Sequence, residues 1–377
     1  MALLRRHFTL LLICCLPTLC GAGSSLLQAA QATGGPNGSG TYYMAADGKK
    51  GRELKTALCH VIYSRNEGGS LKTAYKALWT HFRSTDKKGV NANGQDLVWD
   101  MYSNKRDFIF GTDQAGSYKQ EGDVYNREHS WPNSWFGGEL MPMYTDLNHL
   151  YPTDGFVNSK RSNYPFGENR GEKYTSANGF SKLGACTWPG YSGTVFEPND
   201  EYKGDFARTY FYMVTCYEEK LAEWYDNYAD VRPTIDGSTY PALTSWQLSM
   251  LMHWAQQDPV SEKEVNRNNA VYDIQENRNP FIDYPGLEQY IWGDKQDVVF
   301  HYESYNAAPD TNPDVNNDGR VTIADVAALI ALLKSNSGAN GQTGNANGQA
   351  DKGDIDANGQ VNAADVIQLV SIILGRE

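Results

Sequence analysis

The feature that most constrains this chain is a repeat near its C-terminal end. The segment Asp314-Val-Asn316-Asn-Asp318-Gly319 recurs forty residues later as Asp354-Ile-Asp356-Ala-Asn358-Gly359. Each copy runs into the same apolar stripe, Val326, Leu329, Ile330 and Leu333 in the first, and Val366, Leu369, Val370 and Ile373 in the second. A twelve-residue loop that cradles a hard cation draws oxygens from positions 1, 3, 5, 7 and 12 and places glycine at position 6 for the sharp turn. The first copy offers Asp314, Asn316, Asp318, the Arg320 carbonyl and Asp325, and the second Asp354, Asp356, Asn358, the Gln360 carbonyl and Asp365. An acidic turn that binds nothing is common once. Two with one spacing and one following helix predict a pair of Ca²⁺ loops and a small all-α unit built by duplication. Position 12 is Asp rather than Glu, and Asn312-Pro313 blocks a helix before the first loop, so this is not an EF-hand.

A composition break at Ala307 to Pro313 separates that unit, 314–377, from a larger body. The body carries its own start signal. Arg5 and Arg6 precede an apolar run from Leu10 to Leu19 and the small residue Ala22, which predicts a signal peptide over 1–22 and a secreted or periplasmic protein. Leu19 directly before Cys20 argues against a lipid anchor there, and no later run is long enough to span a membrane. Residues 23–40 are small and polar and predict a flexible start, with a domain over 41–300 and a linker over 301–313. Outside the signal, Cys59, Cys186 and Cys216 leave room for one disulfide and one buried thiol and fit no zinc site.

Within the body, Leu54, Ala57, Leu58, Val61 and Ile62 share a helical stripe, as do Phe206, Tyr210, Met213, Val214 and Tyr217, and Leu248, Leu251, Met252 and Ala255. Ser261 and Glu264 make a capping box after Asp258-Pro259. Between them, 90–170 is rich in Gly, Asn, Asp and aromatics and predicts short strands with long ordered loops, the scaffold on which sites sit. The net charge of −12 is spread over body and tail, so any polyanionic ligand needs a local basic or metal site.

Two segments concentrate the chemistry: YNREHSWPNSWF (Tyr125 to Phe136) and TDLNHLYPTDGFVNSKRSNYPFGE (Thr145 to Glu168). They supply a carboxylate beside a histidine, then Asn158 and Arg161. Phosphodiester hydrolysis needs a base for water, a cation at the leaving oxygen and a positive group on the phosphate. Each has a candidate here. A zinc hydrolase would want clustered ligands at HxH or HExxH spacing, which seven scattered histidines do not give.

These residues resemble the bacterial endonuclease I family, whose active site is a ββα-metal, HNH-like finger. The pattern REHxxPxSWF lies on Arg127 to Phe136, and DLHHL-P-dG-vN-xR-sN on Asp146 to Asn163. Further matches are Phe196 to Met213 and Trp254 to Gly293, so the likeness runs from about Thr41 to Gly293. Asn148 stands where the common form often has His. The resemblance implies an α+β nuclease domain with His129 as general base, and Glu128 and Asn158 as ligands of Mg²⁺ (Mn²⁺ or Ca²⁺ in its place). Arg161 or Arg208 would hold the phosphate of DNA or RNA. Adjacent strand residues face opposite ways, so Glu128 and His129 can share a site only at a strand end or bulge. A helix should carry Asn158 back to them across a loop of about thirty residues. Gln275, Asn277, Arg278 and Asn279 either line the cleft or tie down the C-terminal lobe, and Trp131, Trp135 and Phe136 are expected in the core. The tail resembles a type I dockerin, which implies a cohesin-like or cell-surface partner. A dockerin-bearing binding protein that has lost catalysis is the alternative, and the intact Glu128, His129 and Asn158 speak against it.

Overall fold

The computed structural model describes residues 34–67, 74–305, 313, 315–316, 321–336, 353, 355 and 361–374. In chain order the body comprises α1 (Gly51–Glu67), α2 (Leu78–Thr85), β1 (Lys87–Val90), β2 (Asp96–Val98), β3 (Tyr125–His129), β4 (Leu150–Asp154) and α3 (Gly155–Arg161). There follow β5 (Tyr174–Thr175), β6 (Lys182–Ala185), β7 (Thr194–Glu197), α4 (Lys203–Cys216), α5 (Leu221–Asn227), α6 (Ser245–Gln257), α7 (Glu262–Gln275), α8 (Pro280–Asp283) and α9 (Leu287–Ile291). The strands form three small antiparallel sheets, β1-β2, β3-β4 and β5-β6-β7. This is an α+β body.

The helix at the centre is α4, and every one of its residues is buried. The sequence stripe marked one apolar face of it; the structure surrounds it, with α1, α6 and α8 packed against it. A helix enclosed on all sides must pair its polar groups internally. Accordingly Arg208 of α4 meets Glu264 of α7 in a two-pronged ion pair, Nη2 to Oε2 at 2.8 Å. In α6 the buried face is set by Trp246, Met250, Leu251 and Trp254, while Leu248 and Met252 are only partly buried. The Ser261–Glu264 capping box starts α7 as expected.

Ordered structure begins before Thr41. Gly35 and Gly40 bridge each other, and the Asn37 amide donates to Asp283 at 3.1 Å, which anchors part of the segment expected to be flexible. None of the three cysteines of the body is in a disulfide, with Cys59 and Cys216 buried and the Cys59 thiol directed at the Cys216 carbonyl, 3.5 Å away. Among the described residues no helix is long and apolar enough to cross a membrane.

In the tail, α10 (Ile323–Asn336) and α11 (Ala363–Ile373) pack together over a core of Val315, Val326, Leu329, Ile355, Val361 and Leu369. Of the ten calcium ligands read from the sequence, Asn316, Asp325 and Asp365 are described; Asp314, Asp318, Arg320, Asp354, Asp356, Asn358 and Gln360 lie outside the described residues. The two position-12 carboxylates are fully buried and bonded alike. Asp325 accepts from the backbone N–H groups of Asn316 (3.1 Å) and Thr322 (2.7 Å), and Asp365 from those of Ile355 and Asn362 (both 2.7 Å). Each carboxylate thereby ties both ends of its loop to the helix that follows.

Candidate active site

The site is built on a hairpin and a helix. Strands β3 and β4 pair antiparallel in unbroken register, from Tyr125 opposite Asp154 to His129 opposite Leu150. Asp154 then turns the chain: its carboxylate accepts from the N–H groups of Phe156 (2.8 Å) and Val157 (3.0 Å) and so caps α3. Its second oxygen takes the Gly122 N–H at 2.6 Å, fixing the approach to β3. The result is a ββα finger with Asn158 in the middle of its helix.

Contacts from distant elements hold this finger rigidly. Asp146, ahead of β4, accepts from Tyr212, Tyr217 and Gln275, each at 2.7 Å. Asn277 bonds Asn148 at 3.1 Å, and Arg267 reaches the Leu150 carbonyl at 2.7 Å. Gln275 and Asn277 therefore tie down the loop, and Arg278 pairs with Asp283 at 2.7 Å; none of the three lines the cavity described next. Asn279 caps α8 through the Phe281 N–H. Trp131, Trp135 and Phe136 are core residues.

Around the finger opens a cavity of about 450 Å³, lined by Tyr75, Arg127, Glu128, His129, Pro132, Asn133, Ser134, Asn158, Arg161, Ser162 and Asn163. Glu128 and His129 share it because β3 ends at His129, with no bulge required. Glu128 is 4% exposed, and its Oε1 accepts from Tyr102 (2.8 Å) and Arg161 (2.9 Å). Burial raises its carboxyl above the ordinary value, with Arg161, Tyr102 and a hydrogen bond from Asn158 pulling the other way. The Asn158 amide also donates from Nδ2 to Asn126 at 2.8 Å, which leaves Oδ1 as its acceptor.

His129 is 7% exposed and lies nearly parallel to both Tyr144 and Tyr75, ring centres 5.3 and 6.0 Å away, and the two tyrosine rings are 4.2 Å from each other. Its Nε2 lies 3.0 Å from the Tyr144 carbonyl. A carbonyl only accepts, so Nε2 carries the proton and Nδ1 keeps the lone pair. Burial first, then the neighbouring His149, push the His129 imidazole down to about 3, against the opposing Tyr144 bond. His149 is fully buried, bonded through Nε2 to the Met143 carbonyl at 2.7 Å and lowered to about 4 by burial. It is a structural neighbour of the site.

The two arginines expected at a phosphate are differently placed. Arg161 is fully buried, donating from Nη1 to Glu128 and to the His129 carbonyl (both 2.9 Å) and from Nη2 to the Ser130 carbonyl and the Tyr210 hydroxyl. It borders the cavity from inside the core. Arg208 is 2% exposed, paired with Glu264 and the Asp258 carbonyl, and does not line the cavity. The sequence pattern missed Tyr102, Tyr144 and Tyr75, since tyrosines scattered over seventy residues carry no local signal.

Two family models match the chain. The Endonuclease I family model matches residues 50–286, and the dockerin type I domain model matches residues 312–374. An extracellular ribonuclease of Bacillus amyloliquefaciens is 38% identical over 255 residues, which is 67% of this chain and 78% of that protein. An extracellular ribonuclease of Bacillus subtilis (strain 168) is 35% identical over 275 residues, 72% of this chain and 85% of that protein. A periplasmic deoxyribonuclease of Aeromonas hydrophila is 26% identical over 147 residues, 38% of this chain and 50% of that protein. With a match over most of its body, a ββα finger at the matched residues and a second match over the tail, the chain belongs to the Endonuclease I family and carries a dockerin type I domain.

Proposed function

We propose that the protein is a secreted, divalent-metal-dependent endonuclease that hydrolyses RNA and DNA with little sequence preference. The observation that carries this reading is the convergence of Glu128, His129 and Asn158 around one cavity on the ββα finger. The names of the similar proteins, extracellular ribonucleases and a periplasmic deoxyribonuclease, support both the location and the two substrates.

The donor set fits a hard cation. Among the described residues no three His, Cys, Asp or Glu side chains converge, so a cation here relies on one carboxylate, one amide oxygen and water, a pattern Mg²⁺ accepts. Glu128 and Asn158, already in hydrogen-bond contact, would hold it. A bound cation supplies Lewis-acid stabilisation of the charge on the departing 3′ oxygen. The chain's own residues do the rest. His129 accepts the proton of the attacking water at Nδ1, while the Tyr144 carbonyl and ring keep the imidazole in place. The new bond joins the water oxygen to phosphorus as the bond from phosphorus to the 3′ oxygen breaks, and the 3′ oxygen takes a proton from solvent, so the products are a 5′-phosphate and a 3′-hydroxyl. Arg161 acts as a positioning residue, fixing Glu128 and the end of β3 together. Phosphate and cation contacts carry no sequence information, which is why weak preference is expected.

The tail extends the reading: two calcium-stabilised loops present a dockerin to a cohesin-type partner. The test of the catalytic reading is digestion of RNA and of supercoiled plasmid in Mg²⁺ and in EDTA, followed by end-group analysis. Cleavage abolished by EDTA with 5′-phosphate products is expected. Cleavage indifferent to EDTA, or 2′,3′-cyclic or 3′-phosphate ends, overturns it.

A further inference from the structure

Resting on the nuclease reading, we infer that Arg127 is the residue that grips the scissile phosphate. Arg161, Arg208, Arg267 and Arg278 each face a carboxylate inside the fold: Glu128, Glu264, Asp86 and Asp283, at 2.5 to 2.9 Å. A buried guanidinium so matched is neutralised locally and is already in position to hold structure. Arg127 differs. It lines the cavity beside Glu128 and His129, is half-buried, and belongs to none of the ion pairs among the described residues.

Its clamp is aromatic instead of acidic. The guanidinium carbon lies 3.6 Å from the centre of the Tyr75 ring and 4.6 Å from that of Trp79, and Nη1 donates to the Tyr75 carbonyl at 2.8 Å. Ring contacts fix the plane of the guanidinium and strip water from its faces without cancelling its charge. One of its five N–H donors is engaged by Tyr75, so the planar fork retains donors for an oxyanion. A shared neighbour fixes the rest: the Tyr75 ring that carries the Arg127 guanidinium lies parallel to the His129 imidazole, ring centres 6.0 Å apart, and both side chains line the same cavity. Arg127 and His129 thus reach one substrate, the first at the phosphate that gains charge in the transition state and the second at the water. Preorganised donors at developing charge act on turnover more than on ground-state binding.

The experiment compares steady-state cleavage of RNA in Mg²⁺ by the parent, Arg127→Met, Arg127→Lys, Glu128→Gln and, as a charge-loss control, the exposed Arg170→Met outside the cavity. Thermal unfolding is recorded for each. Arg127→Met keeps an unbranched side chain without the charge and is expected to lower kcat by about 10²- to 10³-fold with KM changed less than about threefold. Arg127→Lys, a point charge in place of a fork, should fall between it and the parent, and Arg170→Met should match the parent. A parental kcat in Arg127→Met, or a loss confined to KM, overturns the inference. Should Arg127→Met unfold at assay temperature, Arg127→Lys decides: parental turnover refutes the grip, and a loss in kcat at unchanged KM supports it. An inactive parent sinks the nuclease reading itself; an active parent, silenced by Glu128→Gln and indifferent to Arg127, sinks this inference alone.

Discussion

Arg161 donates to Glu128 at 2.9 Å from inside the core, across 33 positions of sequence, and with the same nitrogen holds the carbonyl of His129. One guanidinium therefore joins the helix of the finger to the end of its first strand and sets the distance between a proposed metal ligand and a proposed base.

Breaking that link should cost stability and metal binding together. Arg161→Met leaves a buried carboxylate without its cation, which destabilises by about 3–5 kcal/mol. Urea unfolding should show the loss, and the Mg²⁺ concentration for half-maximal cleavage should rise in whatever remains folded. A variant of parental stability and parental Mg²⁺ requirement would contradict the positioning role.

The two proposed ligands should be separable from the proposed base. Glu128→Gln and Asn158→Ala are expected to weaken the metal, so that raising Mg²⁺ partly restores cleavage. His129→Ala should lower turnover by roughly 10²- to 10⁴-fold at every Mg²⁺ concentration. A His129→Ala protein rescued by metal, or cutting at the parental rate, would move the base elsewhere.

Acid should destabilise the body through its buried imidazole. His149 is pushed from the ordinary histidine value down to about 4, so below about pH 6.5 the unfolded chain takes a proton that the folded one refuses. Stability from this group is thus intact above about pH 6.5 and lost as pH falls toward 4, by on the order of 2–3 kcal/mol. His149→Gln, compared with the parent by urea unfolding at pH 7.5 and pH 4.5, should lose less on acidification. Equal losses in both proteins would remove His149 as the cause.

The tail should fold on calcium and be dispensable for cleavage. Deleting 306–377 is expected to leave nuclease turnover within about twofold of the parent while abolishing a calcium-dependent rise in helicity followed by circular dichroism. A truncated protein that folds but cannot cut would show that the two parts are not modular.

Much of this protein is decided by short stretches of sequence. The finger is continuous: Tyr125 to Arg161 contains both strands, the Asp154 cap and the helix, so strand pairing and capping follow from neighbours a few dozen residues apart. The same holds for the Ser261–Glu264 box and for Asp325 and Asp365, each bonded to its own loop. Tertiary structure alone decided what the charged residues do. Arg161 and Arg208 read alike in the sequence as candidates for a phosphate, yet one is claimed by Glu128, 33 residues away, and the other by Glu264, 56 residues away. The tautomer of His129 depends on a carbonyl fifteen residues along the chain, and the depression of its pKa on how deeply the ring is buried. Backbone propensity and capping act through neighbours and can be read from the chain; burial and ion pairing depend on which side chains meet in space. The Arg127 of the motif is set apart only by the aromatic rings that meet it in space, Tyr75 and Trp79, some fifty residues away.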